Sequence, residues 1–158
     1  MSLKNAKEHL GKYGLDNKIK EFDTSSATVK EASLALNCRE AEIAKTLSFL
    51  VNNKPILIVT AGNRKIDNAK YKVVFNEKVK MINRDEVEPF IGHKVGGVCP
   101  FGINDGVDVY LDISLKDFDV VYPACGSENS AIELTIKELE ETSNYKEWVD
   151  VCKIIEEG

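Results

Sequence analysis

Two small-residue stretches and one lysine are the parts of this chain whose residue types and spacing could do chemistry. Residues 92–102 read Gly-His-Lys-Val-Gly-Gly-Val-Cys-Pro-Phe-Gly. Such a run makes a poor helix and a poor strand, so its use must lie in backbone geometry. The adjacent Gly96 and Gly97 can take positive φ and let another molecule approach the main chain, while Pro100 fixes one φ and removes one donor. A loop of this kind can aim N–H groups at an anion or a developing oxyanion, and it can equally be a tight connection without a ligand. A second small-residue turn, Ala124-Cys125-Gly126-Ser127, has the same character. If the two turns share a pocket, Gly97→Val should block a substrate's approach while leaving stability almost unchanged. Lys45 stands at the head of an apolar run, Lys45-Thr46-Leu47-Ser48-Phe49. A partly buried ammonium there would call for a phosphate or carboxylate partner, although a strand-end lysine also reaches solvent along its apolar stem.

No protein nucleophile accompanies these residues. His9 and His93 are the only imidazoles, and no GxSxG, Walker-type or dinucleotide fingerprint occurs. Cys99 is read as a packing residue, because no credible base partner is visible in sequence, although His93 or Lys94 could in principle provide the cation that a reactive thiolate needs. The four cysteines stand singly without a CxxC pair, which fits reduced thiols. A zinc site from His93, Cys99 and Cys125 matches no standard spacing, so neither metal nor cofactor is expected. An enzyme built from these parts would rely on positioning and backbone donors.

The elements that must hold these residues are readable from periodicity. Leu3, Ala6, Leu10 and Tyr13 mark a helix over 3–13, and residues 18–22 alternate as a strand. Thr28-Val29-Lys30-Glu31 has capping-box spacing for a helix through Leu36, closed by Asn37. Residues 44–51 and 55–61, with Asn52-Asn53-Lys54 between them, form a hairpin. Short helices are expected over 67–74 and after Asn83, and strands over 79–82, 107–113, 119–122 and 131–136. Trp148, Val151, Cys152 and Ile155 recur at helical spacing and predict a closing helix. The fold class is α/β in the α+β sense, with a mixed, largely antiparallel sheet and helices around it. At 158 residues with 43% hydrophobic and 30% charged side chains, one globular domain over 1–158 is expected. The longest apolar runs, 47–51 and 56–61, are too short to span a bilayer, and the Lys-rich N-terminus lacks a signal-peptide block, so a cytoplasmic protein without a membrane partner is expected.

Charge is unevenly placed. Against a net −5 overall, residues 53–94 carry +4 and residues 103–158 carry −10. The basic middle, with Arg64, Lys65, Lys70 and Lys72 and then Lys78 and Lys80, could meet phosphate while the acidic end faces away; a solvated surface without a partner is the plainer reading.

The motifs Ser26-Ala27-Thr28, Ile43-Ala44-Lys45-Thr46-Leu47, Thr60-Ala61-Gly62-Asn63-Arg64, the 92–102 loop, Tyr110-Leu111-Asp112 and Ala124-Cys125-Gly126-Ser127, in this order, resemble the YbaK/prolyl-tRNA-synthetase-associated domain family over nearly the whole chain. The resemblance implies a curved mixed sheet closing toward a barrel. It also implies a freestanding trans-editing hydrolase that cleaves a mischarged small amino acid, of the Cys or Ala type, from tRNA(Pro). Its partners would be the acceptor end of the mischarged tRNA and a synthetase. Carried over by motif, Lys45, Gly96, Gly97 and Gly126 would be catalytic, and Thr28, Thr46, Pro100, Asp112 and Ser127 would bind substrate. Arg64, Lys65, Lys70 and Lys72 would meet the tRNA. Thr46 matches the cysteine-editing branch, where some alanine editors have Asn. A tRNA-binding module without turnover, and a hydrolase of another small ester, are the alternatives.

Overall fold

The computed structural model describes residues 2–155. In chain order it contains α1 (Ser2–Gly11), β1 (Lys20–Glu21), α2 (Val29–Leu36), β2 (Ile43–Val51), β3 (Lys54–Ala61), β4 (Arg64–Ile66), α3 (Asn68–Phe75) and α4 (Val87–Ile91). There follow β5 (Asp108–Asp112), β6 (Val120–Pro123), β7 (Ser130–Ala131), β8 (Leu134–Thr135), α5 (Ile136–Thr142), β9 (Glu147–Val149) and β10 (Cys152–Ile154). Six strands in the order β8-β6-β2-β3-β5-β9 form one sheet, curled into a half-barrel. β1 pairs with β7, and β10 with β4, in two small sheets.

The β2–β3 hairpin is the spine. Its Val, Ile and Leu content favours strand, and Asn52 and Asn53 take the left-handed turn that β-branched residues resist. Because side chains alternate across a strand, Leu57 and Val59 enter one core with Val109, Leu111 and Phe101, while Phe49, Ile56 and Ile58 enter a second with Tyr71 and Tyr110. Each fully buried aliphatic of this kind contributes about 1.5–3 kcal/mol. β3–β5, β5–β9 and β2–β6 are parallel, and the other four pairings are antiparallel. The six-stranded sheet is therefore mixed as expected, but its own pairings are three parallel and two antiparallel, so the antiparallel share is smaller than the sequence suggests.

Several elements differ from the sequence reading. The closing helix is absent: residues 147–149 and 152–154 are strands, with Trp148 beside Leu111 and Cys152 beside Ile66. The helical spacing of Trp148, Val151, Cys152 and Ile155 coincides with an alternation in which Val149 and Val151 are buried. The strand expected over 131–136 divides into β7 and β8, and a helix follows whose Thr135–Glu138 capping box closes on itself. Residues 79–82 form no strand, only a single bridge, Met81 to Phe49. The 18–22 strand shortens to Lys20–Glu21 after a 3-10 turn. No helix among the described residues is long and apolar enough to cross a membrane.

Candidate functional site

The site begins with a gap in the edge of β2. β6 runs beside β2 for only two residues, Ile43↔Tyr122 and Ala44↔Pro123, and then turns away through Ala124. Farther along, Leu50 N–H donates to Lys80 O (2.8 Å) and Ile82 N–H donates to Ser48 O (3.2 Å). Between these neighbours lies a cavity of about 350 Å³. The start of α2 (Ser26, Ala27, Thr28), the glycine loop (Val95, Gly96, Val98) and β2 from Ile43 to Ser48 line it, with Met81, Ile82, Arg84 and Ser130. Thr28 does double duty, since its hydroxyl accepts from Glu31 N–H as the cap that fixes α2 against the cavity. Removing such a cap costs about 1 kcal/mol.

Lys45 lies on this wall, half-buried and opposite Thr60 in the hairpin register. Burial pulls its pKa below the usual lysine value. Among the described residues no carboxylate stands within ion-pair distance of it. The ammonium is thus partly desolvated, with the nearby Cys152 thiol only partly offsetting this, a condition that an anionic or carbonyl-bearing ligand would relieve. Beside it, Thr46 Oγ1 is buried and has no hydrogen-bond partner. The cavity therefore presents two cations, Lys45 and Arg84, and one orphan hydroxyl on a largely apolar wall.

The two small-residue turns meet, but not as two sets of free donors. Gly126 N–H donates to Gly97 O (3.0 Å) and Gly97 N–H donates to Lys94 O (3.0 Å), so both of these N–H groups are already engaged. Gly96, at φ +96°, is the glycine that lines the cavity. A Cβ on Gly97 would stand 2.6 Å from Gly126 C and Ser127 N. That corrects the expected phenotype of Gly97→Val: the side chain would collide with the second turn, not with a ligand. Ser127 stands behind the wall, its hydroxyl donating to Ser130 Oγ at 2.6 Å.

Pro100 and Asp112 lie outside this cavity. Pro100 borders a separate polar depression beside α1. The buried Asp112 carboxylate accepts from Ser114 N–H and Val151 N–H, both at 3.0 Å, and so ties β5 to the chain between β9 and β10. Cys99 and His93 come within 3.5 Å of each other, the spacing of a nucleophile pair. Both are fully buried, His93 Nε2 is spent on Phe101 O at 2.6 Å, and burial pushes the Cys99 thiol up to about 12. A thiol held that high is a packing group at neutral pH.

The basic middle is arranged differently from its linear order. Arg64 pairs with Asp117 (3.2 Å) and Lys70 with Asp150 (3.1 Å), while β10 pairs along β4. The acidic C-terminal third thus covers part of the basic segment and does not face away from it. Lys65 and Lys72 are exposed but do not line the cavity, and Lys72 borders a groove with Lys78. The cations near the cavity mouth are Arg84, which lines it, with Lys80 beside Met81 and Lys94 beside Val95. All three lie in the basic segment 53–94, but only Lys80 is among the cations that the sequence reading names there; the flanking of the two apolar wall segments by Arg84 and Lys94 is the signal that singles them out. Among the described residues no group of three His, Cys, Asp or Glu side chains could hold a metal.

Comparison with known proteins bears on this geometry. The model of the aminoacyl-tRNA editing domain matches residues 23–142, which include β2, the glycine loop and the second turn. The uncharacterised protein YwhH of Bacillus subtilis (strain 168) is 51% identical over 97% of this chain and 98% of its own length. The proline–tRNA ligase of Bacillus cytotoxicus is 24% identical over 82% of this chain, which spans 23% of that enzyme. A solved structure described as a candidate trans-editing enzyme for prolyl-tRNA synthetase superposes with a TM-score of 0.86 at 26% identity, over 96% of this chain and 97% of the other. With the half-barrel, the cavity beside Lys45 and a family match across three quarters of its length, the chain belongs to the family of YbaK-like aminoacyl-tRNA editing domains.

Proposed function

We propose that this chain acts as a single-domain deacylase in trans, hydrolysing the ester between a small amino acid of the cysteine or alanine type and a mischarged tRNA, tRNA(Pro) in particular. The observation that carries this reading is the half-buried, unpaired Lys45 at the wall of the 350 Å³ cavity, within the segment that matches the editing-domain model. An aminoacyl ester is already activated, so a water oxygen can attack the carbonyl carbon. The bond to the ribose oxygen then breaks, that oxygen takes a proton, and the amino acid leaves as its carboxylate. Lys45 opposes the negative charge that gathers on the ester oxygens or anchors a phosphate of the terminal adenosine. Gly96 allows close approach, while Gly97, Gly126 and Ser127 hold the loop behind it. Thr28 and Thr46 border the acyl group. Arg84, Lys80 and Lys94 fit the acceptor-stem phosphates better than Arg64 and Lys70, whose charges are locally matched.

The cavity volume leaves room for a small acyl group, and the absence of a usable thiol at the wall agrees with attack by water. The deciding experiment is a deacylation panel of Ala-, Ser-, Cys-, Thr- and Pro-charged tRNA(Pro). Hydrolysis of the Cys or Ala ester, with the Pro ester spared, is the expected result. No release from any member would reject the deacylase in favour of a binding module.

A further inference from the structure

Hydrogen-bond parity along β2 identifies a vacant station in the sheet. Ser48 O and Leu50 N–H both point to the edge occupied by residues 80–82, so even-numbered residues of β2 turn their main-chain groups that way. Pro123, which has no N–H, is the last residue of β6 in register, at Ala44. Thr46 is therefore the one even-numbered residue between two occupied stretches, and its N–H and C=O open into the cavity with no strand opposite. Unpaired edge groups are a template for another extended segment. Here the template is one residue long, closed by Ala124 on one side and Ile82 on the other.

We propose that, on the deacylase reading above, Thr46 recognises the acyl group of the substrate through its backbone: the single amino-acid residue adds to the free edge of β2 as a one-residue bridge. The substrate α-ammonium donates to Thr46 C=O, and Thr46 N–H donates to the ester carbonyl oxygen. These are the two bonds that a residue exchanges with its partner in a hydrogen-bonded antiparallel pair. The N–H bond strengthens as the carbonyl oxygen becomes an oxyanion, which gives the site a backbone donor in place of the engaged Gly97 and Gly126. The substrate class that follows is a free α-amino acyl ester, read by its ammonium and carbonyl. Acyl groups lacking the amine, such as propionyl or lactyl, lose one of the two bonds.

Calorimetry with the full chain tests this, using 3′-amino-3′-deoxyadenosine bearing an alanyl amide and its propionyl counterpart. The propionyl compound should bind about tenfold or more weaker, the scale of a lost hydrogen bond to a charged group. Replacing the Thr46 residue by its α-hydroxy acid, which exchanges that N–H for oxygen, should cost roughly tenfold in kcat/KM on charged tRNA. The thermal midpoint should fall less than in the same exchange at Leu47, whose N–H faces β3, because the Thr46 N–H has no partner within the fold and only the weaker ester carbonyl of Lys45 is felt. Equal binding of the two compounds overturns the inference, and so does a fall in midpoint at Thr46 as large as that at Leu47. If charged tRNA is hydrolysed yet the alanyl compound does not bind, the bridge alone is wrong. If no charged tRNA is hydrolysed and neither compound binds, the deacylase reading falls and takes the bridge with it.

Discussion

Lys45 is the side chain on which most of the proposed chemistry rests, and its surroundings make the consequences of losing it separable. Its ammonium is partly desolvated, lowered in pKa by burial and unmatched by any carboxylate among the described residues. Lys45→Met keeps most of the apolar stem and removes the charge. Deacylation should fall by about 10- to 100-fold, the scale of a lost charge-assisted contact, while the melting temperature stays level or rises because a partly desolvated charge has gone. Turnover close to that of the parent would remove Lys45 from the reaction. The thiols offer a second residue-scale test. Cys38 is partly exposed, whereas Cys99, Cys125 and Cys152 are buried with pKa values raised by desolvation. Iodoacetamide on the native protein should therefore modify Cys38 first, and Cys99→Ala should retain most activity. Mass spectrometry showing Cys99 alkylated ahead of Cys38, or an aminoacyl thioester trapped on Cys99, would contradict this account.

The turns and helices show where local chemistry suffices to specify structure and where it does not. Thr28 and Glu31 form the capping box that their spacing announces, and Asn37 closes α2 in the left-handed region. The β2–β3 hairpin and the helix expected over 67–74, which runs Asn68–Phe75 behind an Asp67 cap, were equally legible, because each depends on residues a few positions apart. The tail was not. Glu147–Val149 and Cys152–Ile154 are short strands whose partners, β5 and β4, lie far away in sequence, and a chance helical spacing outweighed an alternation only a few residues long. In the site, Lys45 and the small-residue turns stood out by residue type, whereas the vacancy opposite Thr46 depends on where β6 stops and could not be read locally. The packing of the two turns carries its own prediction. A Cβ on Gly97 would meet backbone at 2.6 Å, and one on Gly126, already at φ +90°, would collide with Ser2 O. Gly97→Ala should destabilise by about 1–3 kcal/mol through overpacking, and Gly126→Ala by more, because its left-handed angle adds about 1–2 kcal/mol; urea unfolding of Gly106→Ala, which has open space, should show the angular part alone. His93, within the same loop, adds a pH dependence. Burial lowers its pKa below the ordinary 6.5, so the unfolded chain binds its proton more readily than the folded one. Its contribution to stability is complete above about pH 6.5 and is lost as pH falls from there through the folded-state value. Melting curves from pH 7.5 to 5 should decline, with a shallower slope in His93→Gln; an identical slope in that variant would assign the decline to other groups.

For the molecule as a whole, the distribution of charge in space, and not along the chain, decides how tRNA would approach. The segment 53–94 is basic, but Arg64 and Lys70 meet Asp117 and Asp150. Exposed pairs of this kind contribute little to stability, about 0–1 kcal/mol, yet they cancel charge locally and weaken the field that a phosphate would feel. Arg84, Lys80 and Lys94 have no such partners among the described residues; Arg84 lines the cavity, Lys94 shares a neighbouring groove with it, and Lys80 precedes the cavity-lining Met81. On the deacylase proposal the acceptor end enters this cavity so that its 3′-terminal ester reaches Lys45, and the stem's phosphates would then lie near these cations. With about two to four phosphates engaged, log affinity should fall against log salt with a slope of roughly −2 to −3. Reversing Arg84 and Lys94 to Glu should weaken tRNA binding and flatten that slope, while reversing Lys70 and Lys72 should do so less. Hydrolysis of a minimal aminoacyl-adenosine, which has no stem, should be spared by Lys94→Glu, whose side chain stands outside the cavity lining, and by the Lys70 and Lys72 reversals. A larger loss from the Lys70 and Lys72 pair than from the Arg84 and Lys94 pair would move the tRNA to the α3 face. Equal losses on tRNA and on the minimal substrate would mean that the cations at the mouth support the pocket and do not guide the stem.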